Sequence, residues 1–551
     1  MNQLKYTFLF FLLLLINNSF GQFNEKDVTE IITHGTKEEL IYEWNYAIES
    51  SEFRYADLIS DALIKREPKN ANFIYRKGYT TVHYKKNYAE AVKLFSKILK
   101  NATKEFNNES PSETRSPFET YYYYAYCQDQ LGNITDATSY YKKYLDENIG
   151  ITNIYTKLAQ VKIVNIEVAE KYKANPKKNI ILISVGDSIN TPDPEYAPII
   201  SPDGSTIYFT SRRMWKEDTY KEYVEDFTNF STEDIYVSYK KGPGQWTNPK
   251  RLPFCRLDRN EATVAVSSDE RTMYIYADNA KDGGNLFEVD LSKDRLDTLD
   301  LIKTEGVNTK DWDSHIFYSE DNTVAIFASD RAGGYGGRDL YRMIKLPDGS
   351  WSLPKNMGPI INSPYDEDAP FLSIDKKQLY FSSNSDKSMG GFDIFVSLKI
   401  SDNDWSTPVN LGYPINSTKD DIYFTTTADG LLGYLSSNRN GVKGETDIYE
   451  VEFVSKEIKT SFILSGKLTS SNGATVTKNT TLQLQCLNCD SNRKKFIKPR
   501  TRDGKYISGL EPCREYLLEV TNELGTIIHT EKFETSCTLT TETIVKDIFL
   551  K

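Results

Sequence analysis

The chain has 551 residues, 39% of them hydrophobic and 13% aromatic, with 37 Tyr and a formal net charge of −11. That length exceeds one ordinary domain, and the aromatic-rich, modestly apolar composition suits half-buried strands better than a Leu-rich helical core. The acidic balance argues against nucleic-acid binding, which needs a basic face.

Residues 1–21 read as an export signal. Lys5 supplies positive charge, Tyr6 to Ile16 is apolar, and Ser19-Phe20-Gly21 offers small residues near a cleavage point. No Cys follows that could be lipidated, and no later stretch approaches the ~20 apolar residues of a membrane span. An exported, periplasmic protein with no direct membrane span is therefore expected; the alternative is an N-terminal anchor helix.

Residues 22–172 carry a helical period. Asn87-Tyr88-Ala-Glu-Ala91-Val-Lys-Leu-Phe95 recurs as Asn133-Ile134-Thr-Asp-Ala137-Thr-Ser-Tyr-Tyr141, and Ala56 to Pro68 places its small residue and terminal Pro to match. A small residue and an aromatic four apart let one helix pack closely on its neighbour. This resembles tetratricopeptide repeats, with a polar insert from Asn101 to Ser116 and a capping helix around Ile154 to Tyr172. Stacked helical repeats build a concave surface that holds a peptide or another protein. Tyr75, Tyr79, Tyr121 and Tyr124 are the candidate partner-binding residues. Two readings of the Tyr121 to Tyr124 run stay open: alternate rings fill the inter-helix core, or the outward ones line the groove.

Residues 179–454 repeat. Asp339-Leu-Tyr, Asp393-Ile-Phe and Asp447-Ile-Tyr stand 54 residues apart, with Asn285-Leu-Phe and Asp234-Ile-Tyr behind them. In each unit an acidic residue opens an extended run ending six residues later in Ser or Thr, and an Asp follows two positions on. A β-branched and aromatic run comes next, then a Gly-rich loop and the Asp-Ile-Tyr strand. Trp246, Trp351 and Trp405 mark an expected fourth strand. Five such units predict a five-bladed propeller. The last unit lacks its Trp strand, whereas Asn179 to Gly186 precedes the first, so Ile180 to Val185 is expected to pair with Asp447 to Phe453 and close the ring. Ser201-Pro-Asp-Gly followed by Ile207-Tyr-Phe-Thr and Asp234-Ile-Tyr resembles the propeller repeats of TolB-type periplasmic proteins.

Residues 459–551 alternate apolar and polar positions in short runs around an Asp503-Gly504 turn, which predicts a small all-β sandwich. It resembles the carboxypeptidase regulatory-type domain. Cys486, Cys489, Cys513 and Cys537 fall here and are disulfide candidates; a four-cysteine zinc site is the alternative, since the Cys486–Cys489 spacing is metal-like. The order of signal, helical repeats, propeller and sandwich is similar to the PorE family of type IX secretion and gliding machinery. That resemblance implies a non-catalytic scaffold with outer-membrane or secretion-system partners. Family members typically add an OmpA-like domain that grips peptidoglycan; none follows the sandwich here, so peptidoglycan binding is not expected.

No His-Glu-x-x-His, Gly-x-Ser-x-Gly or phosphate loop occurs, and the four His are scattered. No catalytic residue, cofactor or metal is expected. Glu195, Glu261, Asp313, Glu367 and Asp421 hold the same place in every repeat and should ring one mouth of the channel, with Asp311, Asp366, Asp368 and Asp420 beside them. Such a rim could attract a cation or basic peptide; alternatively each carboxylate accepts backbone N–H bonds, and Glu367→Gln should then lower thermal stability. The alternative functions are a propeller that binds a small ligand or glycan and, third, a hydrolase gated by its propeller.

Overall fold

The computed structural model describes residues 25–214, 231–242, 244–279, 283–293, 295–296, 298–454, 462–470, 480–489, 494–537 and 542–550. The export signal expected at 1–21 lies outside them. The described residues form two compact units, one through Glu170 together with Ser231 and one made of the other residues from Lys171 onward.

In the first unit, eight helices are described: α1 Glu25–His34, α2 Lys37–Glu49, α3 Phe53–Arg66, α4 Ala71–His83, α5 Tyr88–Ile98, α6 Thr120–Gln130, α7 Ile134–Glu147 and the start of α8, Ile154–Ala174. Consecutive helices from α2 to α7 pack on one another. Ala56, Ala91 and Ala137 are wholly buried, which is what the recurring small residue provides. At Gly78 a Cβ would strike the Phe95 ring, so α4 and α5 approach as closely as backbone allows. Thr36 starts α2 with a capping box shared with Glu39. The polar insert is folded back on the helices. Arg76, fully buried over the Trp44 ring, donates to the Asn108 carbonyl at 2.6 Å and to Asn45 at 2.8 Å.

The second unit contains five antiparallel sheets, one per repeat, that of the first repeat five-stranded and the others four-stranded. Their innermost strands are Glu195–Ile200, Asn260–Val266, Asp313–Tyr318, Glu367–Leu372 and Asp421–Thr426. Each lies beside the next, and the fifth returns to the first: Thr263 Oγ1 donates to the Ala197 carbonyl, and Thr425 Oγ1 to that of Pro198. Ile180–Ser184 supplies the outermost strand of the fifth sheet by pairing with Asp447–Phe453, so the ring closes where the sequence predicts. Closure leaves no open end between first and last repeat.

The repeated residues have separate jobs. In all five units the Ser or Thr ending the inner strand donates to the Asp two positions on, as Ser201 does to Asp203 at 2.8 Å and Thr427 to Asp429 at 2.6 Å. This hydroxyl–carboxylate pair shapes the turn into the second strand. An Asn side chain then reaches across strands. Asn416 accepts from the Ile394 N–H and donates to its carbonyl, both at 2.9 Å. Asn190, Asn308 and Asn362 do the same at Ile448, Leu286 and Leu340. In the first unit Cys255 Sγ takes that place, accepting from the Ile235 N–H at 3.3 Å.

Two expectations need correction. Trp351 and Trp405 are not in the fourth strands: they form isolated bridges, and the short outermost strands Lys355–Asn356 and Val409–Asn410 follow four residues later. Trp246 does lie in a short strand, Gln245–Trp246, and packs against Tyr434 of the fifth repeat at 6.1 Å. The Gly-rich loops are more than turns, because a Cβ at Gly336, Gly390 or Gly444 would collide with the next unit's backbone. Glycine is required there by interblade contact.

The chain continues into two packed four-stranded sheets, Phe462–Ser470 central to one and Thr481–Cys486 to the other. Leu464, Leu482, Leu484, Leu518 and Val520 fill the space between them. Cys486–Cys489 and Cys513–Cys537 are disulfides, which answers the zinc alternative; Cys127 and Cys255 are free and buried. Among the described residues no helix is long and apolar enough to cross a membrane.

This sandwich caps one face of the ring. Arg500, 5% exposed, forms a two-bond pair with Asp503 and reaches Asp203 at 3.0 Å and Glu270, which lie in the inner turns of the first and second units. Lys495 pairs with Glu320 of the third, and Gly509 lies against the Ile374 carbonyl of the fourth. A pair that buries charge this deeply persists only with several partners.

Candidate functional site

The five predicted rim acids are buried, between 0% and 3% exposed, and so form no solvent-facing rim. Each is held by its own chain. Glu195 accepts from the Thr191 N–H and hydroxyl, from Ser211 and from Arg213. Asp313 has Thr309 and Arg331, and Asp421 has Ser417 and Arg439. Glu261 pairs with Arg259 at 2.5 Å. Among the described residues Glu367 has the Ser363 and Ser383 donors and no guanidinium, because Ser385 stands where the first, third and fifth repeats carry Arg213, Arg331 and Arg439. Burial therefore lifts the Glu367 carboxyl to about 7 despite those bonds, and that of Glu261 to about 8 despite Arg259.

The tyrosines offered for partner binding are placed inside. Tyr75, Tyr121 and Tyr124 are 8–9% exposed and belong to the helical core, and Tyr79 packs half-buried against it. Tyr75 lies 6.1 Å from Phe95 and 6.2 Å from Tyr123, ring centre to centre. The run at 121–124 fills the interior on both sides of α6, with Tyr122 and Tyr123 as deeply buried as their neighbours. Neither outward ring of the run is free to line a groove.

Asp234, Cys255 and Glu261 approach within 4.8 Å of one another, the spacing of a three-ligand metal site. Arg259 occupies Glu261, Arg251 stands 3.7 Å from Asp234, and Cys255 fills the position of the repeated Asn. Burial pushes the Cys255 thiol well up, so it is a poor thiolate. The arrangement is the repeat's own strand junction with one residue changed.

What departs from the repeat is the mouth of the channel. One position after each inner acid stand Tyr196, Ala262, Ser314, Asp368 and Ile422, and one further Ala197, Thr263, His315, Ala369 and Tyr423. Asp368, 1% exposed, accepts from His315 Nδ1 and Ser314 Oγ at 2.9 Å each and pairs with Arg338. Burial alone would raise its carboxyl, but Arg338 and His315 hold it well below the usual carboxylate range. The His315 ring faces Tyr423 at 5.1 Å, and Tyr196 stacks on Tyr423 at 6.3 Å. Ala197, Ala369 and Tyr423 adopt left-handed backbone at bulges of the inner strands, with φ of 49°, 49° and 63°. Such strain survives where packing over-determines it. Beyond the mouth the channel widens into a cavity of about 90 Å³ walled by Pro198, Val264, Phe317, Pro370 and Phe371. His315 and Asp368 are 53 residues apart in different repeats. The only sequence signal for them was a His and an Asp at places where the other repeats carry neither.

The fold thus defines a five-bladed β-propeller with one polar, asymmetric channel mouth and a β-sandwich across the far face. No protein-family model and no curated protein matches the chain. Solved structures similar to part of it include TolB from Acinetobacter baumannii, at 16% identity and TM-score 0.27, covering 47% of this chain and 54% of that one. Others are Kuenenia stuttgartiensis hydrazine synthase, at 9% identity and TM-score 0.29 over 70% and 71%, and CoXyl43, a GH43 β-xylosidase/α-arabinofuranosidase from a compost metagenome. The last has 11% identity and TM-score 0.32 over 49% and 92%. The chain spans about half the length of that TolB, and these likenesses concern the fold alone.

Proposed function

We propose that the protein is a non-catalytic periplasmic scaffold, similar in organisation to the PorE family. On this reading the helical unit is a tetratricopeptide-type stack, the ring a TolB-like propeller, and the sandwich a carboxypeptidase regulatory-type domain. Its partners are outer-membrane or secretion-system proteins. The observation that supports this most is the commitment of the buried acids: each of the five, and Asp368 with them, is engaged by donors of its own chain. A hydrolytic pair would need at least one carboxylate free to exchange a proton with substrate. With Tyr75, Tyr121 and Tyr124 in the core, the contact surface must use other residues. Tyr42 on α2, 68% exposed, is the first to test, since aromatic side chains dominate many interfaces.

Affinity capture from the native envelope tests the proposal. The whole chain should retain a specific envelope protein, the Tyr42→Ala variant should retain less, and a chain lacking residues 37–172 should lose it. Capture unaffected by that deletion would overturn the assignment to the helical unit.

A further inference from the structure

We propose that the propeller channel is a binding site for a small uncharged aromatic or aliphatic alcohol, with the ligand's hydroxyl on His315 Nε2 and its apolar body against Phe317 and Phe371. The proposal is independent of the scaffold reading and concerns a different unit.

The chemistry starts from Asp368. Its carboxylate receives His315 Nδ1 at 2.9 Å and is paired with Arg338, so it is an acceptor and the Nδ1 of His315 carries the proton. The other nitrogen, Nε2, is then the polar atom the ring turns to a ligand, an acceptor in the imidazole and a donor in the imidazolium, and a hydroxyl satisfies either. His315 lines the channel, and no donor within the described residues is bonded to its Nε2. What fits there is an O–H or N–H group that arrives with the ligand.

The walls decide the rest of the molecule. Beyond His315 the channel meets Pro198, Val264, Phe317, Pro370 and Phe371. A charged body would lose its hydration there without compensation. The cavity measures about 90 Å³, and one water needs roughly 10–15 Å³ on that scale, leaving room for on the order of six to nine groups of that size. That suits one ring with one hydroxyl and is too small for a glycan chain. The sandwich lies at the far end, since it touches Glu320 and Ile374, both lining residues, through Lys495 and Gly509. The channel therefore has a polar entrance at one end and the sandwich against the other. The repeat explains why the site is single: the other units place Ala, Thr or Tyr where the third has His315.

The test uses the full chain with phenol as the probe and toluene and benzoate as its controls. With four His in the sequence, the His315 ring resonances can be assigned by one substitution and followed by proton NMR. Phenol should shift them saturably, toluene should bind about five- to tenfold more weakly for want of one hydrogen bond, and benzoate should bind more weakly still. His315→Phe should remove the advantage of phenol over toluene, and Val264→Phe, which fills the channel, should abolish both. The proposal fails if phenol, up to its solubility, leaves the His315 resonances unmoved. It also fails if phenol and toluene bind the native protein equally, or if a folded Val264→Phe variant binds as before. Because the first two readouts use the unaltered protein, misfolding of a variant does not rescue the idea.

Discussion

Glu195 and Glu367 occupy the same place in two repeats, yet only Glu195 has a guanidinium beside it, Arg213 at 3.1 Å. Glu367 is therefore a buried acid that prefers its proton. Its folded-state pKa of about 7 lies above the ordinary 4.5, so its contribution to stability is complete below about pH 4.5 and is lost as pH rises through about 7. The loss is on the order of 3 kcal/mol. This reverses the expectation drawn from sequence for Glu367→Gln: above pH 7 the neutral amide should melt higher than the native carboxylate. Melting curves at pH 5 and pH 8 decide it, and parallel pH profiles for the two proteins would refute the argument. A second residue-scale prediction concerns the Asn that joins strands. Asn416→Ala would strip partners from the buried N–H and carbonyl of Ile394 and should cost about 2–4 kcal/mol. Cys255 makes only the first of those bonds well, at 3.3 Å against 3.9 Å for the second. Cys255→Asn should thus stabilise by about 1 kcal/mol, and a lower denaturant midpoint would count against it.

At the scale of elements, what recurs was legible and what is exceptional was not. The Asp-Ile-Tyr period, the Ser-x-Asp turn and the missing last strand each repeat or break a repeat, and from them the ring and its closure by Ile180–Ser184 follow. The burial of Tyr121 and Tyr124 could not be read, because α6 is tyrosine-rich all round and its periodicity does not point to one face. His315 and Asp368 meet only because bulged strands from two repeats converge at the channel. Nor does sequence pair four cysteines; it leaves three possibilities. The pairing found carries its own prediction. Cys513–Cys537 spans 24 residues and Cys486–Cys489 only 3. Loop entropy then gives the longer bridge about 3 kcal/mol and the shorter less. Replacing Cys513 and Cys537 by Ser should lower the sandwich's stability more than replacing the other pair, and equal losses would contradict the entropic account.

At the scale of the second unit, Arg500 carries the coupling between propeller and sandwich. Its partners Asp203 and Glu270 lie 297 and 230 residues away, and neither turn announces a cation to come. Removing the guanidinium leaves buried Glu270 with Arg502, 3.8 Å away, as its remaining cation, and Arg500→Met should cost about 3 kcal/mol. The consequence should be a separate unfolding step for residues 462–550, seen as a second calorimetric transition and as release by limited proteolysis. A single transition at the native temperature would remove Arg500 from this role. The closing strand has a further consequence, in time instead of energy. Asn190 bonds Ile448 across 258 residues, and at a synthesis rate of about 5–20 residues per second that interval is on the order of tens of seconds. Through all of it Ile180–Ser184 has no partner strand and the inner strands have no ring to line. Every newly made chain passes through a spell as an open sheet with two sticky edges, and any synthesis that pauses before Asp447 lengthens it. Yield in the cell should accordingly follow how well that nascent edge is shielded, and a change that leaves the finished ring untouched can still lower the amount of protein made.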